Sequence, residues 1–345
     1  MTRVAIVGYG FMGRTHYGAW RKCRGAQVVA VCENDPHQFN ATIEGNIKGA
    51  ADNSKLPRSV KIYSDYDEML RAGGFDVVDI TLPTPLHAPT TIKALNARYH
   101  VLCEKPMALN LDDADHMLAA AVRANRVLLV AQCVRFDPAY AYLRTLAQTK
   151  KYGRVIAADF SRIMSAPKWV HDESPSASLQ SEAKSGGLFL DAHIHDVDYI
   201  LSTFGVPQRL ATRAHLTKRG TVDHLTAEYI YADGKLVRAN CSFAAPPSLV
   251  WEATARVFFD RALVDIDANS KKPLTIYPME GKPFTPKLST TTGYEEEIRY
   301  FLTMVLKHPM VKSSSREVPS MVAADARQAL ALVLKERQKA TQTKW

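Results

Sequence analysis

No CxxC pair occurs in this sequence, and its five cysteines (Cys23, Cys32, Cys103, Cys133 and Cys241) are odd in number and widely spaced. That pattern excludes a disulfide framework and a zinc knuckle as organising features, and it fits a reducing cytosol. Also missing is any apolar run as long as a membrane helix requires. The strand-like stretch Val4 to Val7 follows Met1-Thr2-Arg3 directly, without a charged leader or cleavage pattern, so the expectation is a cytoplasmic protein that is neither exported nor membrane-inserted. Basic runs interleaved with stacking aromatics are absent too. The formal net charge is +9, yet Lys and Arg are scattered apart from Lys335, Arg337, Lys339 and Lys344, so the charge reads as a solvated surface and no nucleic-acid partner is expected. Repeats and low-complexity segments are lacking.

What is present is enough chain for two domains: 345 residues, 46% of them hydrophobic. In the first third, short apolar runs at Val4 to Val7, Gln27 to Cys32, Val77 to Ile80, His100 to Glu104 and Val127 to Ala131 alternate with helical patterns. The helical patterns cover Met12 to Lys22, Pro36 to Gly45, Tyr66 to Arg71, Ala88 to Asn96 and Leu111 to Asn125. Such alternation produces βαβ crossovers and predicts a doubly wound parallel sheet, an α/β domain over residues 1–135. The polar stretch Gly49 to Ser59 reads as a loop excursion.

Beyond Arg135 the pattern changes to longer alternating runs, at Arg154 to Met164, Leu225 to Tyr231, Leu236 to Phe243, Glu252 to Phe259 and Leu263 to Ile266. Asp233-Gly234 between two of them is a two-residue hairpin signal. The expectation for residues 136–345 is an α+β domain on a mostly antiparallel open sheet, closed by a helix from Val318 to Lys339.

The segment Gly8-Tyr9-Gly10-Phe11-Met12-Gly13 follows the first strand directly and opens a helix. In that context Gly8 permits the tight turn, Gly10 lets a pyrophosphate approach, Gly13 allows close strand-helix packing, and the helix start offers free N–H groups to the anion. Glu33 lies twenty residues after Gly13 at the end of the second strand, placed to accept hydrogen bonds from ribose hydroxyls and to repel a 2′-phosphate. NAD is therefore expected over NADP. Glu33 also reads as part of the Asp35-Pro36 helix start, and Arg14 could serve a phosphate or sit over the pyrophosphate. Thr81-Leu82-Pro83-Thr84-Pro85-Leu86-His87 follows the strand Val77 to Ile80, where its prolines impose an extended turn at the rim that binds ligands in open α/β sheets.

Glu104 and Lys105 end another strand and should reach the same rim, with Lys105-Pro106 expected in cis to aim the lysine. Beside an oxidised nicotinamide an ammonium is repelled and desolvated, which suits it to share a proton with a substrate oxygen; a solvent-exposed strand-end lysine is the plainer reading. The second constellation is Asp191-Ala192-His193-Ile194-His195-Asp196-Val197-Asp198. Ile194, Val197, Leu201 and Phe204 recur at helical spacing, so Asp191 and His195 should share one face of an amphipathic helix. An imidazole suits removal of a hydroxyl proton near neutrality, with a carboxylate to orient it or contact a second hydroxyl. No metal is expected, because His193 and His195, two apart, point roughly 200° away from each other around a helix.

With these four motifs in order, the chain resembles the Gfo/Idh/MocA family (glucose-fructose oxidoreductase, inositol dehydrogenase and rhizopine catabolism), and Tyr294 to Phe301 resembles that family's late helix. The resemblance implies a Rossmann domain followed by an α+β domain whose open sheet face makes a homodimer or homotetramer. It further implies Lys105, Asp191 and His195 as the catalytic trio, and oxidation of a sugar or cyclitol hydroxyl by NAD. In the cofactor site it places Gly8, Gly10, Phe11, Met12, Gly13, Glu33, Thr81, Leu82, Pro83, His87, Glu104 and Lys105. Lys105, Asp191, His193 and His195 border the substrate in this reading, while Arg135, Lys168, Trp169 and Tyr277 are placed there only by their order along the chain, ordinary packing being the plainer reading of each. Two departures are visible: His193 stands where many relatives have a small residue, and Thr84-Pro85 replaces an asparagine common in that loop. Two other functions stay open at this stage. One is a redox-neutral glycoside hydrolase working by oxidation and elimination, the other a non-catalytic dinucleotide-sensing module. The particular substrate, the carbon oxidised and the oligomeric state are not written in the motifs.

Overall fold

The computed structural model describes residues 1–42, 51–166, 185–218, 220–249, 251–308 and 321–342. The chain divides into two compact units, one made of residues 1–133 and 292–328, the other of residues 134–291 and 329–345.

The first unit alternates strand and helix: β1 (Thr2–Val7), α1 (Phe11–Lys22), β2 (Ala26–Cys32), β3 (Lys61–Tyr63), α2 (Tyr66–Ala72), β4 (Val77–Ile80), α3 (His87–Asn96), β5 (His100–Glu104), α4 (Leu111–Ala124) and β6 (Leu128–Ala131). All six strands run parallel in the order β3-β2-β1-β4-β5-β6. Parallel neighbours cannot be joined by a hairpin, so each crossover needs a longer connection, and central strands such as β4 are buried along their whole length. The strand order reverses between β1 and β4, which opens a crevice at their carboxyl ends. Helix starts follow side-chain chemistry: Asp65 accepts the Glu68 N–H at 2.7 Å before α2, and Asn110 accepts the Asp113 N–H at 2.8 Å before α4.

Three features of this unit differ from the sequence reading. The helix expected from Pro36 to Gly45 is, in its described part, a 3₁₀ turn over Pro36–Phe39 that stops at Asn40, a residue whose amide competes for helical hydrogen bonds. Strand β3 has three residues, too few for an alternation to show. The third difference is α7 (Gly293–Lys307), which belongs to the first unit rather than to a continuous second domain. Its Ile298, Phe301, Leu302 and Val305 form one apolar stripe that packs with Val4, Ile6 and Trp20 in the first unit's core.

The second unit contains α5 (Pro138–Thr149), β7 (Val155–Ile163), α6 (Ile194–Phe204), β8 (Arg209–Leu216), β9 (Val222–Ile230), β10 (Leu236–Ser242), β11 (Glu252–Phe259), β12 (Ala262–Asp267) and β13 (Leu274–Pro278). The closing helix α8 (Met321–Gln342) is divided between the units at residue 328. Seven strands run in the order β13-β12-β11-β7-β10-β9-β8, antiparallel except for the parallel pair β7 and β10. One sheet face is apolar and buried, with the Phe160 ring tilted against that of Tyr199 of α6. The other carries Ile156 and cross-strand ion pairs such as Arg238–Asp159 at 2.7 Å and Arg256–Asp265 at 2.9 Å, as a half-covered antiparallel sheet requires. Strands β8 and β13 and helix α5 were not anticipated. The β9–β10 connection is longer than the two-residue turn that Asp233-Gly234 suggested. Gly234 alone takes positive φ (+86°), and its N–H donates to the Tyr231 carbonyl at 3.0 Å, giving a wider turn that ends on the glycine.

Candidate active site

In the first unit the glycine loop is tightly specified. Gly8 sits at φ +90°, and a Cβ there would lie 2.9 Å from the Thr81 carbonyl oxygen; a Cβ on Gly13 would lie 2.1 Å from the Gly8 carbonyl oxygen. Gly10 is different, since a Cβ there meets no protein atom within 4 Å. That open space lies against the start of α1, where Phe11 and Met12 are partly exposed, no acidic residue occupies the first turn and no side chain caps the N–H groups. The residues thus fit the pyrophosphate of a dinucleotide, which needs close backbone approach and uncapped amides.

Glu33, partly exposed at the end of β2, accepts the Tyr9 N–H at 2.7 Å with one carboxylate oxygen and the Asp35 N–H at 3.0 Å with the other. It therefore joins the glycine loop to the turn after β2. Arg14 is buried, lies 4.8 Å from the Tyr9 ring centroid, and donates to the carbonyls of Gln38 and Ala41.

Thr81 ties the β4 loop to the glycine loop, its hydroxyl donating to the Gly8 carbonyl at 2.8 Å. Leu82 and Pro83 follow, and Thr84–Leu86 makes a 3₁₀ turn into α3. His87 is buried, with Nε2 2.7 Å from the Leu82 carbonyl oxygen and Nδ1 2.8 Å from that of Pro106, so it links this loop to the one after β5. Burial pushes its imidazole pKa below the ordinary range although both carbonyls favour a proton. The Lys105-Pro106 bond is cis, as the sequence reading expected. Glu104 is buried and Lys105 partly exposed, with the Lys105 N–H donating to a Glu104 carboxylate oxygen at 2.8 Å.

Behind these loops lie two residues the sequence reading passed over, His16 on α1 and Asp79 on β4. His16 is completely buried, with Nδ1 3.0 Å from both Asp79 oxygens and Nε2 3.1 Å from Glu104; Trp20 donates to Asp79 at 2.7 Å. A signal was available, since an aspartate inside the apolar strand Val77 to Ile80 demands a buried partner.

In the second unit the run from Asp191 begins in a wider π turn over Phe189–His193 before α6 continues it, so the expected regular helix is interrupted. Its ionisable residues separate into two groups. His193 is buried with Nε2 2.7 Å from Glu336, Asp196 is buried with two bonds from Arg162 at 2.9 and 3.0 Å, and Asp198 is buried with Arg135, whose second nitrogen donates at 2.6 Å. Asp191 and His195 keep partial exposure. Arg135 and His193, both expected to border a substrate, each bury the charge-bearing end against a carboxylate. Lys168 and Trp169 lie outside the described residues, and Tyr277 is 42% exposed on β13. Among the described residues, no helix is long and apolar enough to cross a membrane.

Residues 2–132 match the model of an oxidoreductase family with an NAD-binding Rossmann fold, and residues 140–264 match the Gfo/Idh/MocA C-terminal domain. The chain is 28% identical over 266 residues to a D-apiose dehydrogenase from Paraburkholderia graminis, covering 76% of this chain and 64% of that protein. It is 25% identical over 321 residues to a trans-1,2-dihydrobenzene-1,2-diol dehydrogenase from Xenopus laevis, covering 86% and 91%. The fold is shared with the crystal structure of myo-inositol 2-dehydrogenase from Lactobacillus plantarum, with a TM-score of 0.74 at 23% identity over 99% of this chain and 97% of that one. The chain therefore belongs to the Gfo/Idh/MocA family of oxidoreductases, whose N-terminal domain binds a nicotinamide dinucleotide.

Proposed function

We propose that this oxidoreductase is an NAD-dependent dehydrogenase of a secondary hydroxyl on a sugar, sugar derivative or cyclitol. The observation that carries the proposal is the division within residues 191–198, where Asp191 and His195 stay partly exposed while His193, Asp196 and Asp198 are buried against charged partners. Groups committed to burial have no proton to trade with a substrate, whereas the two that remain have the chemistry for it. His195 removes the hydroxyl proton, Asp191 orients that imidazole or takes a neighbouring hydroxyl, and Lys105 holds the substrate oxygen as it becomes a carbonyl. The nicotinamide, when bound, supplies the acceptor for the carbinol hydride, so the carbon loses two electrons as the oxygen loses its proton. NAD is favoured over NADP because the Glu33 carboxylate beside the glycine loop repels a 2′-phosphate. The names of the similar proteins, for D-apiose, a cyclic diol and myo-inositol, support the substrate class. A cytoplasmic homodimer or homotetramer completes the proposal.

The test is NADH formation, followed by absorbance, against inositols, aldoses, uronates and glycosides, with NADP run in parallel. Accumulation of NADH with a free sugar or cyclitol is the expected result. Cleavage of a glycoside without net NADH would replace the proposal with oxidation and elimination, faster turnover with NADP would overturn the role of Glu33, and dinucleotide binding without any turnover would point to a sensing module.

A further inference from the structure

A neutral imidazole has one N–H and one lone pair, so it cannot satisfy two carboxylates at once. His16 faces two. Its Nδ1 lies 3.0 Å from both oxygens of Asp79 and its Nε2 lies 3.1 Å from Glu104, and all three side chains are buried. The contacts continue in both directions. Trp20 donates to Asp79 at 2.7 Å, and the other Glu104 oxygen accepts the Lys105 N–H at 2.8 Å. The series Trp20, Asp79, His16, Glu104, Lys105 thus runs from α1 through β4 to the end of β5 without a solvent-exposed link before Lys105.

We infer that His16 is a positioning residue for Lys105: a buried imidazolium, held by Asp79, keeps Glu104 ionised and oriented so that Glu104 fixes the Lys105 backbone and sets a negative charge near its ammonium. The inference rests on the proposed role of Lys105 at the substrate oxygen. Two carboxylates facing one buried space cannot both remain charged without a cation between them, and the ring is that cation. Burial alone would push the His16 imidazolium towards neutrality, but Asp79 and Glu104 hold its pKa well above the ordinary value. The Glu104 carboxyl is held below its ordinary value despite burial, through His16 first and then Lys105 and His87. The remaining titratable groups around the cluster are Cys103 on β5, its thiol also driven upward by burial, Cys133 and, from α7, Tyr294 and Glu297. Burial drives the Cys133 thiol and the Tyr294 phenol upward, so both stay neutral near pH 7 and neither substitutes for the imidazolium.

Two measurements test this on the full chain. In ¹⁵N-histidine NMR of the wild-type protein near neutral pH, both ring nitrogens of His16 carry protons where an ordinary imidazole is largely neutral; one protonated and one bare nitrogen overturns the inference, whatever the enzyme oxidises. The second follows acetic anhydride labelling of Lys105 against pH by mass spectrometry, in wild type and in Glu104→Gln. The amide preserves the bond to the Lys105 N–H but removes the charge, so the amine deprotonates at lower pH and the labelling curve moves the same way; an unmoved curve overturns the inference. Neither readout needs a substrate, so failure of the dehydrogenase reading is seen separately in the NADH assay. Where turnover is found, His16→Gln lowers kcat about 10- to 100-fold with the NAD dissociation constant within about threefold, whereas a merely structural His16 lowers thermal stability and leaves kcat of the folded enzyme intact.

Discussion

Nε2 of His193 lies 2.7 Å from a carboxylate oxygen of Glu336, 143 residues further along the chain, and neither side chain exposes any surface. The Tyr229 hydroxyl donates to the other Glu336 oxygen at 2.9 Å. A buried carboxylate with two such partners holds α8 to the turn that carries Asp191. Glu336→Ala leaves both partners without it and is predicted to destabilise the second unit by about 3–5 kcal/mol, read by urea unfolding. Glu336→Gln, whose amide oxygen still accepts, is predicted to cost clearly less; equal losses would mean that cavity formation and not polar pairing sets the effect.

Gly10 and Gly13 are predicted to respond in opposite ways to alanine. At Gly13 the new Cβ meets the Gly8 carbonyl oxygen at 2.1 Å, so the loop must rearrange, and both melting temperature and dinucleotide affinity fall. At Gly10 the Cβ enters open space, and the backbone there (φ −74°) is one that alanine adopts. Gly10→Ala should therefore leave stability within about 1 kcal/mol while weakening NAD binding at least tenfold. Thermal unfolding and NAD fluorescence titration separate the two, and unchanged NAD affinity in Gly10→Ala would remove the pyrophosphate from that space.

Glu33 contacts the glycine loop through the Tyr9 N–H. In Glu33→Gln the geometry is retained and the charge is lost, so the preference for NAD over NADP in kcat/KM is predicted to narrow by about tenfold, equivalent to about 1.4 kcal/mol. An unchanged ratio would show that the carboxylate does not discriminate between the two cofactors.

Stability against pH has two histidine limbs of opposite sign. His100 is pushed down to about 4, chiefly by burial and then by Arg126 and His308, and its Nδ1 accepts the Val127 N–H at 3.0 Å. A depressed value means that the unfolded chain takes the proton first, so this contribution is present above 6.5 and is lost as pH falls towards about 4. His308 and His87, also pushed down by burial, add to that limb. His16 is raised, so its contribution is complete below 6.5 and is lost as pH rises through its folded value. His100→Gln is predicted to flatten the acid limb and His16→Gln the alkaline slope in urea unfolding measured at a series of pH values. A slope that survives its own mutation would assign that limb to other groups.

Much of the fold was legible because its signals are local. Strands Val77–Ile80, His100–Glu104 and Glu252–Phe259 lie where the apolar patterns placed them, to the residue, since alternation or an unbroken apolar run needs no knowledge of the partner strand. Edge strand β3 was too short to show a pattern, and the late helix α7 carried an ordinary amphipathic stripe that says nothing about which core it enters. The site followed the same rule. Gly8, Gly13 and Lys105 were marked by their neighbours in sequence, whereas the burial of Arg135 against Asp198 was not, their side chains being 63 residues apart along the chain.

By itself, then, the sequence determined the two successive sheets, the glycine turn and the residue types available for proton transfer, all of which arise from periodicity and from contacts within a few positions. Only the tertiary structure decided which ionisable groups are spent on burial and which stay partly exposed. A buried charge must find its counterpart in space, and His16 finds one 63 and another 88 residues away, a pairing that no local pattern records.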